Sequence, residues 1–231
     1  MKTKPILLVL IAITIVAAFT TYAQSPSPTN GPSYTSDGQL RLPANYRQWV
    51  YLTTGFDMSY TASMSMDHHM FDNIFVNPES YQAFLKTGTW PDKTMLVLEV
   101  RGAKSKGSIN QAGNFQDAEV MGLEVHVKDQ SRFHSQGNWA FFGFEATSLP
   151  SPAATNANPY ANAASTARAA GAQPQTPTSK MTPTSTACYS CHAQHAAVDT
   201  TFVQFYPTLL PIAQSHSTLS PSYLKDSTTT K

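Results

Sequence analysis

Charge is scarce in this chain. Asp, Glu, Lys and Arg make up only 13% of its 231 residues, and 15 basic against 14 acidic side chains leave a formal net charge of +1. Without a basic excess nothing draws it to a polyanion or an anionic lipid surface, so nucleic acid is excluded as a partner. Cysteine is scarcer still: two residues cannot build the dense disulfide framework of small secreted domains. Long apolar runs are also missing beyond the N-terminus, where no segment approaches the ~20 residues a membrane-spanning helix requires.

The one apolar run has a specific layout. Lys2 and Lys4 precede an uncharged stretch from Ile6 to Phe19, followed by Thr21, Tyr22 and Ala23. A basic flank, a short apolar centre and a small residue at the exit read as a secretory signal peptide over residues 1–23, cleaved near Ala23. That predicts an exported protein, in the periplasm.

Residues 24–39 are rich in Pro, Ser and Gly without apolar period and read as a disordered leader. The Ala, Pro and Thr tract over residues 147–186 reads as a low-complexity insertion, with room for a short helix around 161–170. Between them, residues 40–146 carry strand patterns at 46–55, 72–77, 95–100, 119–128 and 139–146, where β-branched and aromatic residues alternate with polar ones. Residues 78–88 have helical spacing instead, with Asn77 as cap, Pro78 in the first turn and Gly88 as stop. The pattern predicts an α+β fold: a predominantly antiparallel sheet, a few helices, and a C-terminal segment over residues 187–216, opening on a helix, that completes the same domain, followed by a tail over 217–231. Trp49, Trp90, Trp139, Met95 and Met121 are expected in the core, and His126 on a sheet surface.

Both cysteines fall in "CYSCH", Cys188 to His192. A disulfide, a zinc site and a covalent haem compete for them. A disulfide is the default for two cysteines in an exported chain, yet thiol-exchange motifs of this spacing usually open a helix after a buried strand. Zinc could take Cys188, Cys191, His192 and His195, but the adjacent Cys191 and His192 do not easily face one small tetrahedral ion. Haem suits the spacing better. Cys188 and Cys191, one helical turn apart, can bond its two vinyl groups, and His192 then becomes the axial iron ligand. Covalent haem c is the favoured reading; the other two stay open. The helix is expected to run on to Tyr206, stopped by Pro207, with His195 on its surface.

A haem iron with an open sixth position needs a distal pocket. Phe71 and Phe75 could roof it with apolar surface, while His68, His69, Met64, Met66 or Met70 could instead supply a second ligand and make a six-coordinate electron carrier. Arg47, Asp67, Asp72, Glu99 and Arg101 could each orient a ligand or meet a propionate; none stands out.

The ordered segments "LPANYRQWVYLTTG", "FVNPESYQAFLKTGTWPDKTMLVLEV", "GLEVHVKDQSRF", "GNWAFFGF" and "CYSCHAQHAAVDTTFVQFYPTLLP" resemble, in order and spacing, the cytochrome P-460 family, which includes the cytochromes c′-beta. The resemblance implies a sheet-rich monohaem c domain, commonly a homodimer, with His192 as proximal ligand. It further implies an open distal side that binds nitric oxide or converts hydroxylamine, and a periplasmic electron-transfer partner. In hydroxylamine-oxidising members a lysine on the strand after the "W-P-D" turn is joined to the haem edge. Here the matching position is Leu98, and Lys93, Lys104 and Lys106 read as solvated charges, which places the enzymatic activity in doubt and turns the expectation toward gas binding.

Overall fold

A computed structural model describes residues 30–43, 45–59, 68–146, 176–182 and 187–229. The expected signal peptide and the bulk of the expected insertion, with its suggested helix, lie outside these residues. No helix among the described residues is long and apolar enough to cross a membrane.

The long alternating runs pair into one antiparallel sheet of six strands. These are β2 (Val50–Phe56), β3 (Met70–Val76), β4 (Met95–Lys104), β5 (Phe115–Lys128), β6 (Trp139–Glu145) and β8 (Met181–Thr182), adjacent in that order. Two shorter strands, β1 (Leu40–Arg41) and β7 (Thr178–Ser179), pair beside it. The start of β4 is apolar on both sides, with Met95, Leu96 and Val97 all buried, because this strand sits mid-sheet with a core on each face. One face packs Met95, Val97, Leu123, Val125, Val127, Phe142 and Phe144 against Leu40, Tyr46, Trp49 and Phe133. The other packs Val76, Leu96 and Trp139 against Phe84 of helix α1 (Pro78–Thr87) and against Ala197, Val203, Tyr206, Leu209 and Ala213 of the C-terminal segment.

Helix α1 (Pro78–Thr87) follows its sequence signals closely, down to Gly88 at φ +70°, where a Cβ would come within 2.7 Å of His216. Asn77 has a different task from the capping expected: its side chain makes no cap bond, and its Oδ1 accepts the Met95 backbone N–H at 2.9 Å, tying the helix start to β4. The strand expected from residue 46 begins at Val50, because Tyr46–Gln48 form a 3₁₀ turn.

Several stretches depart from their sequence reading. Residues 30–39, within the expected leader, join the fold: Tyr34 bridges Leu40, its hydroxyl donates to Asp129 at 3.3 Å, and Arg132 lies 4.0 Å over its ring. Within the expected insertion, Met181 and Thr182 pair with Phe142 and Phe141, and Thr178 and Ser179 pair with β1. Met121 is exposed rather than core, since it sits where β5 extends past its covering elements. The tail folds as helix α5 (Pro221–Thr229), which follows α4 (Leu210–Ser215).

Charges that look unremarkable in the sequence converge in space. Glu99, 3% exposed, accepts from the Tyr46 hydroxyl, from Arg47 Nε at 2.8 Å and from Arg101 Nε. Burial by itself would push the Glu99 carboxyl up, but the Arg101 and Tyr46 hydrogen bonds and the two guanidinium charges outweigh it and hold the group below its ordinary value. A depressed folded-state value stabilises the fold above the unfolded carboxylate range and is lost as pH falls through it. The wild-type denaturant midpoint is therefore expected to drop steeply on acidification below about pH 4. Glu99→Gln should lose about 2 kcal/mol at neutral pH, from the charged hydrogen bonds, and show a flatter acid limb. An equally steep limb in the variant would rule Glu99 out as its source. Lys93, expected to be solvated, in fact pairs with the buried Asp129, and Lys104 pairs with Asp117 at 2.7 Å.

Candidate functional site

Helix α3 (Ala187–His195) carries Cys188, Cys191 and His192 on little more than one turn, so that all three lie toward one side. Both thiols are free, Cys188 exposed and Cys191 half-buried. The helix stops at His195, short of the Tyr206 expected, and the chain then turns sharply at Asp199 and Thr200, which have φ of +49° and +60°. Two consecutive left-handed residues, one of them β-branched, are a strained arrangement that neighbouring structure must enforce.

That enforcement is visible. Lys128, buried at the end of β5, donates to the Trp90 carbonyl at 2.7 Å and pairs with Asp199 at 2.8 Å. Trp90 Nε1 donates to the Thr201 hydroxyl at 2.7 Å, and Val198 and Thr201 bridge each other. The turn so held aims the Thr200 carbonyl at His192 Nδ1, 2.8 Å away. A carbonyl only accepts, so Nδ1 carries the proton and the lone pair of His192 lies on Nε2. Burial lowers the His192 pKa, opposed by the Thr200 bond, and a neutral imidazole is the form that ligates a metal.

The His192 ring is boxed by Phe202 at 4.3 Å, Phe141 at 4.8 Å and His126 at 5.3 Å, the last nearly perpendicular to it. His126 is thus not on an open sheet surface: it is 8% exposed, stacked on Phe141 at 4.0 Å and against Trp139 at 4.4 Å. Burial, with the His192 charge adding, pushes its pKa well down. Tyr189 fixes the helix on its other side, donating to the Gln136 carbonyl at 3.1 Å over Gly137, where a Cβ would stand 2.7 Å from the phenol oxygen. From the C-terminal side, His195 Nδ1 meets Asp226 of α5 at 2.6 Å.

The sheet face that brings His126 and Phe141 to His192 continues along β4 and β3 through Leu98, Ile74, Val100 and Asp72, with Glu124 opposite Leu98. Val76, Leu96 and Trp139 on this face are buried under the C-terminal segment, whereas Ile74, Leu98, Val100 and Phe141 are only half-buried. Desolvation raises the Glu124 and Asp72 carboxyls, with the Asp72 charge adding at Glu124 and the Asp57 charge at Asp72. Phe71 and Phe75 do not roof this region. Strand alternation turns both to the opposite face, where Phe75 packs on Tyr46 and Tyr51, and Phe71 on Phe56. His69 sits beyond the far end of β3, bonded to Asp57 and stacked on Phe56. It is six or seven residues from the level of His126, or roughly 20 Å at strand rise. Met64, Met66 and Asp67 lie outside the described residues.

The residues present fit a haem. A single imidazole with its iron-facing nitrogen defined stands beside two free thiols and a half-open apolar sheet face. Three of the four buried side-chain polar atoms without a hydrogen-bond partner among the described residues belong to His126, Thr200 and Gln136, all touching the attachment helix. Such orphans in a folded protein mark a missing partner. A protein-only zinc centre fits less well, since no three His, Cys, Asp or Glu side chains converge among the described residues.

Sequence reading singled out Cys188, Cys191 and His192, which α3 does bring together, but gave no site role to Trp90, Lys128, Asp199 or Thr200, whose roles exist only once the turn is folded against β5. Comparison with known families supplies independent support: a sequence model described as cytochrome P460 matches residues 43–203, taking in the sheet and the attachment helix and stopping ahead of α4 and α5. No curated protein matches the chain.

Proposed function

This chain belongs to the cytochrome P460 family and is a haem cytochrome, and we propose that it is an exported monohaem c protein that binds small nitrogen oxides, nitric oxide foremost, and turns over hydroxylamine poorly. Cys188 and Cys191, both free thiols on one side of α3, would hold the haem through thioether bonds to its two vinyl groups. His192 Nε2, whose lone pair is left free, would ligate the iron, with the Thr200 carbonyl and the Lys128–Asp199 pair holding the imidazole in place. When bound, haem supplies an iron that cycles between ferrous and ferric states and coordinates diatomic or N-hydroxy ligands.

The observation that carries the gas-binding reading is Leu98. It lies on the sheet face that reaches His192, between Ile74 and Glu124, where the family resemblance places the crosslinking lysine. An aliphatic side chain offers no amine, and the free electron-tuning bond that a lysine would form is absent from the chemistry available here. Resemblance also supports a homodimer and a periplasmic electron partner.

The test is a set of spectra and masses. Reduced holoprotein should show an ordinary haem c spectrum, bind nitric oxide, and leave every lysine-containing peptide unmodified after digestion. Haem found on a peptide holding Lys93, Lys104 or Lys106, or steady hydroxylamine consumption with an added electron acceptor, would replace this reading with the oxidase.

A further inference from the structure

The sheet face that meets His192 carries an acid that nothing balances. Glu124 lies two residues from His126 on β5, about 7 Å at strand rise, and the His126 ring stands 5.3 Å from that of His192. Among the described residues its carboxylate has no hydrogen-bond or ion-pair partner. Directly opposite it are Leu98 of β4 and Gly143 of β6, and a Cβ at Gly143 would meet no atom within 4 Å, so the face is open at this level. The other titratable groups on this face are His126 and Lys128 along β5, Glu145 of β6, Asp72 of β3 and His192 of α3. Lys128 is held by the Trp90 carbonyl and Asp199, and burial favours the neutral form of both imidazoles, so none of these groups is a cation free for Glu124. Glu124 is exposed, yet crowding by the flanking strands raises its carboxyl, and the Asp72 charge adds.

Once a haem covers this face, a lone carboxylate on it is costly unless positive charge comes with the cofactor. Iron brings that charge, in an amount set by its oxidation state. We propose that Glu124 is a proton acceptor coupled to the iron, taking up a proton as the iron on His192 takes up an electron. Opposite ferric iron the carboxylate stays ionised. One-electron reduction removes a positive charge, and the carboxylate then binds a proton to become the neutral acid. The electron comes from a one-electron donor and the proton from water, so the charge of the face is unchanged by the pair of transfers. A unit charge removed about 10 Å away, at an effective dielectric constant of about 20, changes a carboxyl's proton affinity roughly tenfold. The coupling acts through space and needs no contact between Glu124 and the cofactor. It rests on the haem c reading and goes beyond it, because neither covalent attachment nor gas binding requires an acid at position 124.

The experiment uses holoprotein matured with haem c. A pyridine haemochrome assay first establishes covalent haem in the wild type, and its failure would reject the haem reading itself. Midpoint potentials are then measured from about pH 4 to 9, which spans the ordinary carboxylate range and the values above it. The carboxyl binds its proton more tightly in the reduced protein than in the oxidised one, so the wild-type potential should fall as pH rises between the two pKa values and level off on either side. Glu124→Gln should lose that fall and sit at a higher potential above the window, where the wild type carries the negative charge. The reduced-minus-oxidised infrared spectrum should show a carboxylic acid C=O band in the wild type that is missing from Glu124→Gln. Asp72→Asn should keep both slope and band, with the window moved to lower pH. A wild-type potential without slope would overturn the proposal. So would a slope and band that survive in Glu124→Gln, which would assign the coupling to a propionate or to iron-bound water. Should Glu124→Gln not take haem, Glu124→Asp decides the matter: the slope should persist and the C=O band should be displaced, and an undisplaced band would overturn the assignment to position 124.

Discussion

Replacing Cys188 and Cys191 together with alanine is expected to abolish covalent haem completely, while the polypeptide remains folded. Thioether bonds survive denaturation, so wild-type haem should stay with the protein through acid-organic extraction, and the double variant should yield all of its haem to the organic layer. Each single variant should retain one bond and show a displaced haemochrome band. The polypeptide tolerates the change because Cys188 is exposed and Cys191 half-buried, both are free, and neither belongs to either core. His192 should still be able to coordinate haem added to the double variant, since its orientation comes from Thr200 and not from the cysteines. Extraction of haem from the wild type would sink the attachment reading. A collapse of the far-ultraviolet dichroism of the double variant would mean that the cysteines support the fold in a way the packing does not reveal.

Trp90→Ala should be among the most damaging single changes elsewhere in the chain. The ring is 2% exposed, packs on Phe84 at 4.3 Å and donates from Nε1 to Thr201. Truncating such a residue costs about 3–5 kcal/mol, a large part of the ~5–15 kcal/mol that separates folded from unfolded domains. The effect should reach the iron as well: loss of the Thr201 anchor frees the strained turn at Asp199 and Thr200, and with it the carbonyl that orients His192. A denaturant titration of the holoprotein, read alongside the iron–histidine stretch, tests both parts. Trp90→Phe keeps most of the burial and should lose only about 1 kcal/mol with the hydrogen bond, but should still broaden the stretch. If the alanine variant unfolds at the wild-type midpoint, the turn is held by Lys128 and Asp199 alone.

The strands and the first helix were legible because their signals are local. "MLVLEV" is apolar on both sides and becomes a central strand, and Asn77, Pro78 and Gly88 bracket a helix within a residue of where it forms. The grouping of Cys188, Cys191 and His192 on one helix was legible for the same reason, being within five contiguous residues. Phe71 and Phe75 were misplaced because a strand's alternation tells which residues share a face without telling which face meets the cofactor. His126 looked like a surface residue because "LEVHVK" alternates cleanly, yet both faces of β5 are covered at that level, one by the cluster of Leu40, Trp49 and Phe133 under Val125 and Val127 and the other by His192 of α3. Residues 178–182 escaped notice because their pairing depends on distant strands, and residues 30–39 because Tyr34 is held by Asp129 and Arg132, far along the chain, not by local composition.

From sequence alone come the expectation of export, the α+β pattern, the two thiols with an imidazole beside them, and the aliphatic residue at position 98, since each is a matter of residue identity at short spacing. Tertiary structure alone decides which nitrogen of His192 is free, which face Leu98 shares with it, and why His126 and Thr200 are left unpartnered beside it. These depend on the Asp199–Thr200 turn being pressed against Trp90 and Lys128, residues separated from it by over a hundred and by about seventy positions in the chain. Hydrogen bonds and ring contacts act over a few ångströms, so a site assembled across such separations has no local signature to read.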